Sequence, residues 1–265
     1  MFDTADAWIA RPALFGGGLF FFLIFELLRP YRMPLASKAK RWLTNLSLAG
    51  FNAVFIRLVF GVAMTGILSF AAERRGGLLD FFEMPYWSKI LSILVFMDFT
   101  LWVWHLLNHK VPVLWRFHRV HHCDPEMDVS TATRFHAGEL AISALIRMGL
   151  VLLLGADFFG MLVFETATVA AAQFHHSSLD IPSRLEAPLW LLFVPPSMHR
   201  IHHSVRIKER DSNYGVIFSL WDRIMGTFLR DVEQDGIRIG VGAYPNPEKL
   251  GFRALLAMPF EKPVR

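Results

Sequence analysis

The chain has 265 residues, 54% of them hydrophobic and 25 of them Phe, with a mean hydropathy of +0.38. That is too apolar for an ordinary soluble enzyme and points to membrane spans. The net charge of +4 comes from basic residues beside apolar segments, which reads as membrane-orienting charge and argues against a nucleic-acid partner. A single cysteine, Cys123, excludes an intramolecular disulfide and any multi-cysteine metal or iron–sulfur site.

Residues 12–28 form the first apolar run, about long enough to cross a bilayer. The run lacks a basic n-region and an obvious small-x-small cleavage site, so a removed signal peptide is not expected. Gly16-Gly17-Gly18 within it suits a tight helix contact. Residues 29–41 then carry Arg29, Arg32, Lys38, Lys40 and Arg41 with no acid. A second span is expected over 46–72, closing on Glu73-Arg74-Arg75 and a loop with Asp80 and Glu83, and a third over 87–107. Residues 140–155 and 157–174 give a fourth and fifth, joined by Gly155-Ala156-Asp157. That last pair reads equally as a hairpin that does not fully cross. Leu189 to Pro196 is too short to span, is stopped by two prolines and suits the interface. The chain then turns polar, with Leu255 to Phe260 as its last apolar stretch. Tyr31, Trp42, Trp87, Trp102, Trp104 and Trp115 lie near predicted span ends and are expected in an aromatic belt.

These elements predict an all-α integral-membrane bundle of about four to five membrane helices forming one domain over 1–265. Within it, 1–40 is an N-terminal membrane helix and loop, about 41–230 the core, and 231–265 a cytoplasmic tail. The positive-inside rule places 29–41 in the cytoplasm and the acidic start, Asp3 and Asp6, outside. Alternation then puts 73–86 and the turn near 155 outside, with 108–138 and everything after 175 inside.

All eleven histidines fall between His105 and His203, mostly in blocks: His105-x3-His109, His118-x2-His121-His122, His175-His176 and His199-x2-His202-His203. Side chains at i, i+3 and i+4 share a helix face, so each block aims imidazoles in one direction. Every block then lands on the cytoplasmic side or at the cytoplasmic end of a span. Imidazole is the commonest protein ligand for iron, zinc and copper, and four blocks exceed what one metal can use, so the pattern asks for two metals. A closed structural zinc site would need about half as many ligands. The Glu-x-x-His pattern of carboxylate-bridged di-iron bundles is not visible.

Hx3H, then HxxHH, then a later HxxHH resembles the signature of the fatty acid hydroxylase/sterol desaturase superfamily of integral-membrane di-metal oxygenases. The likeness runs from roughly Arg41 to Thr227 and includes Asp98, Arg134-Phe135-His136-x2-Glu139, Phe174-x-His176-Ser177, Asp211-Ser212-Asn213-Tyr214-Gly215 and Leu220-Trp221-Asp222-Arg223. The resemblance implies metal ligands at His105, His109, His118, His121, His122, His176, His199, His202 and His203. It leaves His175 open, since adjacent helical residues diverge by about 100°. His136 sits where the family carries His-Pro, but Ala137 follows it here, so a supporting role is expected instead. Asp98, Glu139 and Asp222 are expected to accept imidazole N–H bonds and fix tautomers. Asp98, within an apolar span, is expected to find a histidine of another block.

The implied activity is O2-dependent hydroxylation or desaturation of a membrane lipid, fatty acyl or sterol-like, by two iron ions, for which zinc can substitute as ligand chemistry goes. A carotenoid or alkylglycerol-type monooxygenase is the alternative within the same fold. No haem-binding or ferredoxin-like segment is visible, so electrons are expected from a separate ferredoxin or cytochrome b5-like protein with its reductase. A metal transporter would string histidines along the spans rather than gather them at one face, and a non-catalytic scaffold need not keep the eight-histidine core.

Overall fold

The computed structural model describes residues 4–34, 36–74, 76–262 and 264, with side chains from residue 12 onward. Asp3 and Arg75, and the side chain of Asp6, therefore lie outside the described residues. Five long helices form the bundle: α1 (Thr4–Leu28), α2 (Lys38–Arg74), α3 (Tyr86–Lys110), α5 (Ala137–Leu154) and α6 (Phe158–His176). Between and after them come α4 (Pro112–His122), α7 (Ser183–Leu192), α8 (Pro196–His202), α9 (Ile207–Arg210), α10 (Leu220–Met225) and α11 (Phe252–Ala257). Among the described residues there are isolated β-bridges but no strand.

Among the described residues, three helices are long and apolar enough to cross a membrane: α2, within the stretch Lys38–Phe81, α3, and α5. Pro12–Leu28 in α1 is a shorter apolar run. Phe20, Leu27, Leu58, Val62, Leu145 and Leu153 stand exposed on these helices, as side chains facing acyl chains should. The protein is a membrane helical bundle.

Local chemistry sets the helix limits. Pro112 opens α4 where its missing N–H costs nothing, and Pro196 does the same for α8. Asp157 caps α6 by accepting from Gly160 N at 2.7 Å. Gly155 closes α5 at φ 70°, and an added Cβ there would lie 2.5 Å from Asp80 Oδ2, so this junction needs glycine. On the same end of the bundle, Tyr86 Oη donates to Asp157 Oδ2 at 2.8 Å. A core of Ile93, Met97, Val151, Leu154, Met161 and Phe164 fills the space between α3, α5 and α6.

The opposite end carries the histidines. Helix α2 begins earlier than the apolar pattern predicts, because Arg41 is buried and donates to Asp124 at 2.6 Å and Asp128 at 2.8 Å. The basic segment is thus partly helix, with its charge neutralised by the loop after α4. The tail packs rather than hangs free: Val241, Leu250, Leu255 and Met258 bury against Leu48, Trp115 and Val120. Trp102 and Trp115 also depart from the aromatic-belt expectation, since both are buried. Trp102 Nε1 donates to Asp222 at 3.0 Å, and the Trp115 ring centroid lies 5.2 Å from that of His109.

Candidate metal centre

Three helix ends and one short helix converge here. The last turns of α3, α4 and α6 bring His105 and His109, then His118, His121 and His122, then His175 and His176; α8 and its cap supply His199, His202 and His203. The fold sorts nine of them into two buried groups. One holds His105, His109, His118, His122 and His202; the other holds His121, His176, His199 and His203; within each, one nitrogen per residue lies within 4.8 Å of all the others. The adjacent residues His121 and His122 serve different groups, as do His202 and His203, because neighbours on a helix diverge by about 100°.

Hydrogen bonds fix the rings. The Nδ1–H of His105 donates to Tyr214 O at 2.8 Å, that of His202 to Ser212 O at 2.8 Å, and that of His118 to Glu139 Oε1 at 2.9 Å. In the second group, His121 Nδ1 meets Arg134 O at 3.2 Å and His176 Nδ1 meets Ala172 O at 2.7 Å. These oxygens accept, so each neutral ring carries its hydrogen on Nδ1 and turns a bare Nε2 inward. Burial, and after it the like charge of neighbouring imidazoles, holds His121, His122, His199, His202 and His203 well below the ordinary histidine range. They are neutral at physiological pH, the form that binds metals.

The inward nitrogens test whether a metal fits. In the first group, Nε2 of His105, His109, His118, His122 and His202 is buried without a hydrogen-bond partner. In the second, His176 Nε2 lies 3.0 Å from Nε2 of His121 and 3.0 Å from Nε2 of His199, and His203 Nε2 lies 3.1 Å from Nε2 of His199. His121 and His176 both carry their hydrogen on Nδ1, so two lone pairs face each other there and no proton can bridge them. A cation between them removes the repulsion. Imidazole–metal bonds of about 2.1 Å meeting at roughly a right angle separate their nitrogens by about 3.0 Å. The donor set fits two metals.

The remaining predicted residues fall elsewhere. His175 is buried with its ring centroid 4.0 Å from that of His199, but belongs to neither group. His136 caps α5, its Nδ1 accepting from Gly138 N at 2.9 Å and its Nε2 donating to Leu256 O at 3.2 Å. Asp98 corrects the expectation of a histidine partner. Its carboxylate instead accepts from Ile217 N at 3.0 Å, Phe218 N at 3.2 Å and Trp221 Nε1 at 2.8 Å. The physical reason is reach: the 217–221 segment, which runs into α10, offers donors beside Asp98, whereas the histidines lie turns further along α3. Asp222 likewise holds no imidazole; it accepts from Tyr214 N and Gly215 N, both at 2.8 Å, and so fixes the stretch of backbone whose carbonyl orients His105.

Several positioning groups escape residue patterns altogether, because they are backbone. Asn213, at φ 55°, is the sole non-glycine residue with positive φ among the described residues. That bend lets Ser212 O and Tyr214 O, on either side of it, each take a histidine. Asn213 is anchored by Leu229 N at 2.9 Å and donates to Leu229 O at 2.8 Å. The Asp211–Gly215 motif was the available signal, since Asn tolerates the left-handed region. Asp211 was also missed: its Oδ1 lies 3.6 Å from His109 Nδ1.

A membrane helical bundle with paired, buried polyhistidine groups at one end defines a class of membrane-embedded metal-binding proteins. The fatty acid hydroxylase family matches residues 90–227, which hold every residue of both groups. The chain belongs to the fatty acid hydroxylase family and is a lipid-hydroxylase-type oxidoreductase. It is 27% identical to ornithine lipid hydroxylase OlsE of Rhizobium tropici over 91% of this chain and 73% of that protein. It is 32% identical to human cholesterol 25-hydroxylase over 52% of this chain and 50% of that one. Alkylglycerol monooxygenase of Danio rerio is 30% identical over 58% of this chain and 34% of its own length. No solved structure matches.

Proposed function

We propose that this protein is an O2-dependent di-iron hydroxylase acting on a membrane lipid, with its centre on the cytoplasmic side. The carrying observation is the pair of buried histidine groups at the end of an apolar helical bundle. His105, His109, His118, His122 and His202 would hold one iron and His121, His176, His199 and His203 the other. Two irons, when bound, supply the reductive activation of O2 that an unactivated C–H bond demands and side chains cannot provide. Zinc satisfies the same ligands but not that redox requirement.

The chain's own residues do the rest. Carbonyl and carboxylate acceptors hold the tautomers of His105, His118, His121, His176 and His202, and burial keeps the imidazoles neutral and excludes bulk water. The apolar helices admit a lipid tail from the bilayer to the histidine end. Hydroxylation is favoured over desaturation because the relatives above are named as hydroxylases and monooxygenases. An acyl lipid is favoured because the alignment to the ornithine lipid hydroxylase extends over nearly the whole chain. The cytoplasmic assignment rests on the basic residues flanking α1 and α2 at the histidine end. The reaction RH + O2 + 2e⁻ + 2H⁺ → ROH + H2O draws its electrons from a separate protein.

Comparative lipidomics of cells expressing the wild type, His202→Ala or no copy tests the reading. A lipid heavier by one oxygen is expected with the wild type alone. An identical lipid profile in all three, with metal-loaded wild-type protein in the membrane, would overturn it.

A further inference from the structure

The first histidine group has a short path to the surface. His105, His118 and His202 turn their Nδ1 atoms to buried acceptors. His109 instead faces Asp211, whose side chain is 13% exposed and accepts at 2.9 Å from Lys110, itself 46% exposed. The second group is roofed: His121 bonds a buried carbonyl and His176 a half-buried one, and Gly240 N of the tail donates to His203 O at 3.1 Å. Around Asp211 the exposed residues are Lys110, Val113, Arg206, Ile207 and Lys208. Beneath them, buried Arg210 lies over the Trp115 ring at 4.5 Å, and Trp115 packs at a tilt against His109. Cations outnumber the two acids of this region, Glu209 and Asp211, by two to one when Arg210 is counted with the three exposed bases.

We propose that the face formed by Lys110, Arg206, Ile207 and Lys208 docks an acidic one-electron carrier protein and passes its electrons through His109, which faces Asp211. This rests on the hydroxylase reading, which requires two electrons per turnover from outside the chain. Each docked carrier gives up one electron and leaves oxidised, so two dockings supply one hydroxylation, with the two protons coming from solvent. Mixed basic and small apolar exposure suits a transient redox contact: charge steers the encounter, and a small apolar centre keeps it brief.

The test uses the full-length iron-loaded protein in detergent, with an acidic plant-type [2Fe–2S] ferredoxin as the probe. Titration binding is expected to weaken about tenfold in Lys208→Glu, more in Lys208→Glu with Arg206→Gln, and steeply with salt. Arg253→Glu, an exposed base on the tail, should bind as the wild type does. Ferredoxin-driven turnover should fall in step with binding, while dithionite-driven single turnover stays at the wild-type level. Absent ferredoxin binding, equal binding by all variants, or equal loss with both reductants would overturn the docking face. Failure of dithionite-driven hydroxylation in the wild type would instead overturn the hydroxylase reading.

Discussion

Glu139 and Asp98 are both buried acids, yet they stand at different removes from the histidines. Glu139 touches an imidazole directly, at 2.9 Å from His118 Nδ1. Glu139→Gln should therefore weaken metal binding about 10–100-fold, the usual loss when such an acceptor is altered. Metal analysis after equilibrium dialysis checks this, and unchanged occupancy would show that the contact is idle. Asp98 holds two backbone N–H groups and an indole instead. In Asp98→Asn an amide NH2 would face one of these donors, costing about 1–3 kcal/mol. Its thermal midpoint should drop while the folded fraction keeps its metal. Loss of metal from folded Asp98→Asn would place this residue in the metal's support after all.

At the scale of elements, the bundle separates its tasks by end. Histidines, Glu139 and the Asp211–Gly215 bend occupy one end; Gly77, Asp80, Gly155 and Asp157 knit the other. Gly155→Ala forces a Cβ to within 3.0 Å of Gly77 Cα at positive φ, a cost of about 1–2 kcal/mol from the backbone alone. The substitution should lower thermal stability in detergent and leave metal content per folded protein unchanged. A parallel loss of both would mean that the two ends are coupled through α5. The hydrophobic period fixed where these helices run, but their starts depended on partners. α2 reaches back to Lys38 because Arg41 finds Asp124 and Asp128, residues far off in the chain. No local pattern announces that pairing.

The whole molecule depends on that buried polar cluster, which ties α2 to the loop beneath the second histidine block. Asn45 Nδ2 donates to Ser130 Oγ at 2.9 Å, and Arg134 donates to Asn45 Oδ1 at 2.9 Å while its carbonyl takes His121. Burial alone would raise the Asp124 carboxyl, but Arg41, Arg134 and the hydrogen bonds outweigh it and hold it at about 2. A pKa held below the unfolded value of 3.8 contributes stability that is full above that value. It is lost as pH falls through 3.8 towards about 2. Asp124→Asn should be less stable than wild type at neutral pH and show a shallower loss across that window, as read by tryptophan fluorescence of the detergent-solubilised protein. Parallel acid profiles for the two would remove the cluster from this role.

The sequence by itself determined the apolar helices, the four histidine blocks that gather at one end, and the family. Those properties live in short-range spacing: a span is a run of apolar residues, and HxxHH presents its rings from one turn of helix. Only the tertiary structure decided which histidine serves which group. Neighbouring rings diverge, so His121 parts from His122 and His202 from His203 according to what each meets across the bundle. The folded chain also revealed the acceptors that hold the rings, because Tyr214 O, Ser212 O and Arg134 O are backbone atoms without a residue signature. It likewise sent Asp98 to the 217–221 segment and His175 outside both groups, since a buried polar group takes the nearest partner that packing supplies.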